Sequence, residues 1–148
     1  KRFWIEVDGI MRTIDATGCI MGRLSSHVAK SLLNGDEIHV INAEKVLISG
    51  SKSSITREYV EKRTLNHPRK GPRYPRAPHM MLKRAVRGMI PYQKPSGRSA
   101  FKRLKVDIGV PSHTEKKVET IDIAKAKESG SYMSLGELSK LLGAKING

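Results

Sequence analysis

The groups that could do chemistry here are five histidines, one cysteine and a set of Lys and Arg that outnumbers Asp and Glu by 28 to 14. None of His27, His39, His67, His79 and His113 pairs with another His or with Cys19 at metal-ligand spacing, and one cysteine cannot build a zinc ribbon or finger. No bound metal and no cofactor is expected. His39 lies in an apolar run and reads as a hydrogen-bonded structural histidine, whereas His67 and His79 flank a proline-rich stretch where a base or a phosphate could be met. Gly50-Ser51-Lys52-Ser53 looks like the tail of a phosphate-binding loop, but Lys52 does not directly follow the glycine and Lys45 stands where the upstream glycine is needed. It can still act as an anion-binding turn before a helix. Gly18-Cys19-Ile20-Met21-Gly22 lacks the spacing of a dinucleotide fingerprint and reads as a tight turn. The acids form no defensible pair, so no active site is visible.

The cations are another matter. Residues 62–105 hold Lys62, Arg63, Arg69, Lys70, Arg73, Arg76, Lys83, Arg84, Arg87, Lys94, Arg98, Lys102, Arg103 and Lys105, and not one Asp or Glu. The remainder of the chain is neutral, so the net charge of +14 belongs to this block. Solvated charged faces mix both signs, and like charges at this density repel one another unless a polyanion covers them. Arg interleaved with Pro, Gly and Tyr74 suits an extended segment lying between phosphates, because the planar guanidinium bonds phosphate bidentately and stacks on bases. Arg23, His27 and Lys30 add a second row at i, i+4 and i+7. Nothing resembles a DNA recognition helix, and four Tyr, two Phe and one Trp are few for a single-strand platform. Folded RNA, held by shape and backbone, fits better, with loops that gain order on binding. The alternatives are a basic α/β enzyme that processes nucleic acid, and a module for acidic proteins or membrane surfaces.

The elements that must position these groups follow from periodicity. Residues 10–16 read as a strand, and Ile20, Leu24, Val28 and Leu32 form the stripe of an amphipathic helix stopped by Asn34-Gly35. Residues 37–42 read as a buried strand, with a tight turn at 43–45 and a short apolar run at 46–48. Strand, helix and strand in this order make a βαβ unit, hence an α/β layered fold with a mainly parallel sheet. Ser53 or Ser54 is expected to cap a helix to about Thr64, with Glu58 and Glu61 set against Arg57 and Lys62. Residues 65–77, with Pro68, Pro72 and Pro75, should be extended. A helix over 79–90 carries Met81 or Leu82, Ala85 or Val86, and Met89 inward, with Lys83, Arg84 and Arg87 opposite. A loop at 91–97, a short helix from Arg98, a strand over 104–110 and a final helix from Ser134 to Gly143 complete the reading, while 112–130 stay unassigned. The length, 148 residues, fits one RNA-binding domain with an aliphatic core. The lone cysteine, the absence of an apolar run long enough to span a bilayer, and the acids at Glu6 and Asp8 point to a cytoplasmic protein.

Several of these segments also resemble a known family. Val86-Arg87-Gly88-Met89-Ile90-Pro91, then Gly97-Arg98, then Leu104-x-Val106 resemble the signature of the thirteenth protein of the large ribosomal subunit. So do Ile14-Asp15-Ala16 with Gly22-Arg23-Leu24-Ser25, Val40-Ile41-Asn42-Ala43-Glu44, and Ser49-Gly50-Ser51-Lys52. The likeness runs from about residue 12 to 111 and is nearest the archaeal and eukaryotic branch. Asp107 departs from it, since a large apolar or aromatic residue is the family's habit there. The resemblance implies a three-layer α/β/α fold around a four-stranded parallel sheet and no enzymatic activity. It implies a structural place on large-subunit ribosomal RNA in the ribosome, beside neighbouring ribosomal proteins, with binding early in assembly and no small-molecule substrate. By position in the matching motifs, Lys52, Arg87, Lys94 and Arg98 are the RNA contacts it implies. The other cations rest on composition.

Overall fold

The first strand, β1 (Met11–Asp15), sends Thr13 and Ile14 into the interior and turns at Gly18, whose positive φ of 72° suits glycine. The chain then enters helix α1 (Met21–Leu33), which buries Leu24, Val28 and Leu32 as their spacing requires. Gly35 ends it in the left-handed region, and β2 (Glu37–Ile41) returns parallel to β1 with Ile14 opposite Val40. This is the βαβ unit expected from the pattern. The structure, a computed structural model, describes residues 11–65, 67–112, 114 and 117–146. The expectations for residues 1–10 and for His113 lie outside the described residues.

After a single 3-10 turn (Ala43–Lys45) come β3 (Leu47–Ser49) and helix α2 (Lys52–Thr64). Ser51, rather than Ser53 or Ser54, caps α2 by accepting from the Ser54 N–H at 3.4 Å. The helix therefore begins two or three residues earlier than expected. Helices α3 (Pro78–Gly88) and α4 (Pro95–Lys102) both begin with proline, whose missing N–H costs nothing in a first turn. Helix α4 starts within the expected 91–97 loop, because a Cβ at Gly97 would collide with the Pro91 carbonyl and only glycine lets the turn close. In α3 the inward residues are Met81, Leu82 and Val86, followed by Ile90; Met89 faces out.

Strand β4 (Leu104–Val106) pairs with β2, Ile38 opposite Leu104 and Val40 opposite Val106. It is shorter than the expected 104–110 run. The Asp107 N–H makes one more bond to the Val40 carbonyl, and Gly109 then turns the chain away at φ 69°. The unassigned stretch supplies β5 (Val118–Thr120), parallel to β1 at the other edge. All three of its side chains are exposed, so no apolar alternation marked it. An ion-pair clamp holds it instead: Arg12 reaches Glu119 at 2.6 Å and Asp36 at 3.2 Å. That bonding draws the Glu119 carboxyl below its ordinary pKa. The sheet order is β4-β2-β1-β5, all parallel, with helices on its faces in an α/β/α arrangement. A separate antiparallel pair joins β3 to β6 (Tyr132–Ser134), and α5 (Leu135–Leu141) closes the fold, capped by Ser134 and stopped at Gly143.

The core is aliphatic. Ile14, Leu24, Leu32, Ile38, Val40, Leu82, Val86, Leu135 and Leu138 form one buried cluster, and Cys19 is inside it. Each such side chain gains roughly 1.5–3 kcal/mol from leaving water. His39 is buried in β2 and donates from Nε2 to Asp107 Oδ2 at 2.7 Å. The departure from the family pattern at Asp107 thus has a partner in this chain.

Candidate nucleic-acid interface

Parallel sheets of this class commonly hold ligands at the carboxyl ends of their strands. Here the polar groups at those ends are taken up by the fold. Asp15 Oδ1 accepts from the Thr17 N–H at 3.0 Å, the Thr17 hydroxyl at 2.7 Å and Asn42 Nδ2 at 3.0 Å. Burial pushes the Asp15 carboxyl up, and these hydrogen bonds outweigh it and leave it below its ordinary pKa. Glu44 accepts from the Gly109 N–H at 2.9 Å, and Asn42 sits in the left-handed region at φ 57°. Burial raises the Cys19 thiol above its usual pKa, which suppresses the thiolate. Among the described residues no group of three His, Cys, Asp or Glu could hold a metal ion.

The basic block is built differently. His67 Nδ1 accepts from the backbone N–H of Arg69 at 3.3 Å and of Lys70 at 3.4 Å, so this histidine shapes the turn that presents Arg69 and Lys70. Arg73 donates back to the Pro68 carbonyl at 3.2 Å. From there the segment runs extended along α3 and is fastened to it. Arg84 Nη1 donates to the Arg73 carbonyl at 3.1 Å, Arg63 Nη1 to the Tyr74 carbonyl at 3.5 Å, and the buried Ser139 hydroxyl to the Arg76 carbonyl.

Two tyrosines organise the cations. The Arg84 guanidinium lies 4.1 Å from the Tyr74 ring centroid, with Lys62 Nζ 5.8 Å from the same ring and 4.9 Å from Tyr59. Tyr92 carries Arg87 at 4.2 Å and Arg98 at 6.0 Å, and Arg98 Nε donates to the Tyr92 carbonyl at 3.1 Å. Phe101 meets Tyr92 edge-on at 5.6 Å. Between Tyr74 and Tyr92 runs a groove of about 410 Å³. Contact with a ring orients each guanidinium, and Arg84 and Arg98 each place one further N–H on a backbone carbonyl.

Charge of one sign separates this face from the rest, with no Asp or Glu anywhere in 62–105. Within 62–105 only Lys62, on Glu58 at 2.6 Å, and Lys105, near Asp107 at 3.9 Å, lie within 4 Å of a described carboxylate; the other twelve cations do not. The Glu58 hydrogen bond holds Lys62 above its ordinary pKa. Arg69, Lys70, Arg73, Arg76, Arg87, Lys94, Arg98 and Lys102 are exposed, and Lys83 and Arg84 half-buried.

Residues 10–113 match the family described as Ribosomal protein L13. The chain belongs to this family. Relatives named large ribosomal subunit protein uL13 include one from Methanosphaera stadtmanae, 48% identical over 90% of this chain and 97% of its own length. The one from Methanosarcina barkeri is 49% identical over 92% of this chain and all of its own. That from Methanocaldococcus jannaschii is 47% identical over the same shares. These names are those of archaeal ribosomal proteins, not of enzymes.

The L13-family motifs land unevenly on the surface just described. Arg87, Lys94 and Arg98 stand on the basic face around Tyr92. Lys52 is elsewhere, its ammonium 2.9 Å from Glu137 on α5, so the turn at Gly50–Ser53 carries its own counter-ion and its Ser51 hydroxyl is spent on capping. Arg103 is turned inward: Nη2 donates to the Leu32 carbonyl at 2.6 Å and caps the end of α1. Arg23 and Lys30 are exposed on α1, which packs against α3, and His27 between them is half-buried. Among the described residues no cation–π contact joins that row to the two tyrosines. Tyr59, Tyr92 and Phe101 belong to the site although the chain has few aromatics, and composition alone gives them no role. Three of the four tyrosines meet cations of the basic block, and the one signal available was Tyr92 lying between Arg87 and Arg98 beside two prolines.

Proposed function

We propose that this chain is a structural, non-catalytic constituent of the large ribosomal subunit, a single domain that binds folded large-subunit ribosomal RNA and does so early in assembly. The observation that carries the reading is the block of fourteen cations and no acid in 62–105, of which Arg84, Arg87 and Arg98 lie on Tyr74 and Tyr92. The names of the relatives, large ribosomal subunit protein, agree with it. Mechanistically, RNA helices brought close together repel through their phosphates, and a fixed sheet of guanidinium and ammonium groups removes that cost. Contacts of this kind position a protein on an RNA by backbone and shape, with no chemical step. Neighbouring ribosomal proteins are the other partners. No described helix is long and apolar enough to cross a membrane.

The competing class, an enzyme that processes nucleic acid, needs acids or metal ligands beside the cations, and the described acids at the strand ends are engaged in backbone capping. The test is co-sedimentation with large subunits after a high-salt wash, together with displacement by large-subunit RNA fragments, heparin and anionic vesicles. RNA fragments should displace the protein at far lower concentration than the other two. Equal displacement by all three would overturn specific RNA recognition.

A further inference from the structure

We infer that the groove between Tyr74 and Tyr92 takes one unstacked nucleotide of an RNA, guanosine in preference to adenosine. This rests on the RNA-binding reading and adds to it a base site where that reading needs only phosphates.

The volume, about 410 Å³, falls within the roughly 300–1,000 Å³ of small-ligand sites. Its walls are Tyr74 and Pro75 from the extended loop, Met80 from α3, and Tyr92 with Phe101 beyond it. A sugar-phosphate backbone has no use for such walls, since phosphates gain nothing from Pro, Met and ring carbons. A planar base does, by covering them. The rim is cationic, with Arg73, Lys83, Arg84 and Arg87 and no acid, which suits the phosphates on either side of an extruded residue. Arg84 and Arg87 each lie on a tyrosine, so a base resting on the outer face of either guanidinium would extend an existing stack.

The preference among bases follows from which hydrogen-bonding groups are already engaged. The backbone carbonyls of Arg73, Tyr74 and Tyr92 each accept from an arginine. The charged groups at the rim are donors. A base edge carrying two acceptors, the O6 and N7 of guanine, matches donors; adenine places an amino group there.

Two measurements on the full chain test this. In the first, guanosine 5′-monophosphate, adenosine 5′-monophosphate and inorganic phosphate are titrated while the Met80 methyl and the Tyr92 and Phe101 ring signals are followed by NMR. The guanosine nucleotide should move them at lower concentration than the adenosine nucleotide, and phosphate should leave them in place. In the second, two RNA hairpins differ only by one unpaired guanosine. The bulged hairpin should bind at least about fivefold tighter, the low end of what stacking one base contributes. Met80→Trp, at a half-exposed position, fills the groove without removing charge and should erase that difference.

Equal affinity for the two hairpins, ring signals that answer equally to phosphate, or a difference that survives Met80→Trp would each overturn the base site. Equal response to both nucleotides would overturn the guanosine preference, and tighter binding of the free nucleotide than of the bulged hairpin would overturn the RNA source. If both hairpins bind equally well, only this inference falls. If neither binds, the RNA-binding reading falls with it.

Discussion

Replacing Arg87, Lys94 and Arg98 together by alanine isolates the electrostatic part of RNA binding. All three side chains are exposed and none is paired with a described carboxylate, so the fold loses little beyond the Arg98 bond to the Tyr92 carbonyl and the Arg87 contact with the Tyr92 ring, each about 1 kcal/mol or less. Each cation that neutralises a phosphate adds about 0.7 to 0.9 to the negative slope of log K against log salt. Removing three should make that slope shallower by about 2 to 3. The penalty of the triple substitution should then be roughly 20- to 40-fold larger at 50 mM salt than at 200 mM. Filter binding to a large-subunit RNA fragment across that range reads it directly, with thermal unfolding as the control. Lys52→Ala is the contrast, because its ammonium is engaged by Glu137 and its loss should barely change the slope. A triple variant that unfolds normally and keeps the parent slope would show that these groups do not touch phosphate.

Three further outcomes concern the scaffold. Gly97→Ala drives a Cβ into the Pro91 carbonyl and should cost about 3 kcal/mol in urea unfolding, weakening RNA binding with it; an unmoved midpoint would refute the close approach. Asp107→Leu supplies the apolar residue that the resemblance leads one to expect there but removes the acceptor from His39 Nε2, so stability should fall by about 1.5–3 kcal/mol rather than rise. The Glu119 carboxyl is held below its ordinary pKa by Arg12, so its stabilisation is complete above the unfolded glutamate pKa and is lost as pH falls through the lowered folded value. Urea midpoints should drop between pH 5 and pH 3, and less so in Glu119→Gln; identical drops would remove Glu119 from the cause.

What could be read from the chain was whatever a local pattern encodes. The β1-α1-β2 unit announced itself through the fourfold spacing of Leu24, Val28 and Leu32 and the Asn34-Gly35 stop, and α3 through its bracketing prolines and apolar stripe. Strand β5 has three exposed side chains, and its place depends on β1 and on the Arg12 clamp, neither of which is local. The same limit governs the candidate site. That residues 62–105 form a cationic face was legible from composition, but which cations remain outward was not. Lys52 meets an acid 85 residues away and Arg103 a carbonyl 71 residues away, and no spacing rule reports such partners. The tyrosines escaped notice for a related reason, since they gather only when α2, the extended loop and the α3–α4 turn come together.

The fastening of residues 67–77 has a consequence for how recognition is divided between the partners. Arg84, Arg63 and Ser139 each hold a carbonyl of that segment, and Tyr74 wedges it against α3. Loss of chain freedom is therefore settled during folding of the polypeptide rather than at the moment of encounter. Association should lack the large heat-capacity change of coupled folding. If the proposed reading holds, the protein comes to its RNA as a finished mould, unlike the loops that the sequence leads one to expect would gain order on binding, and the conformational narrowing falls on the ribonucleotide strand.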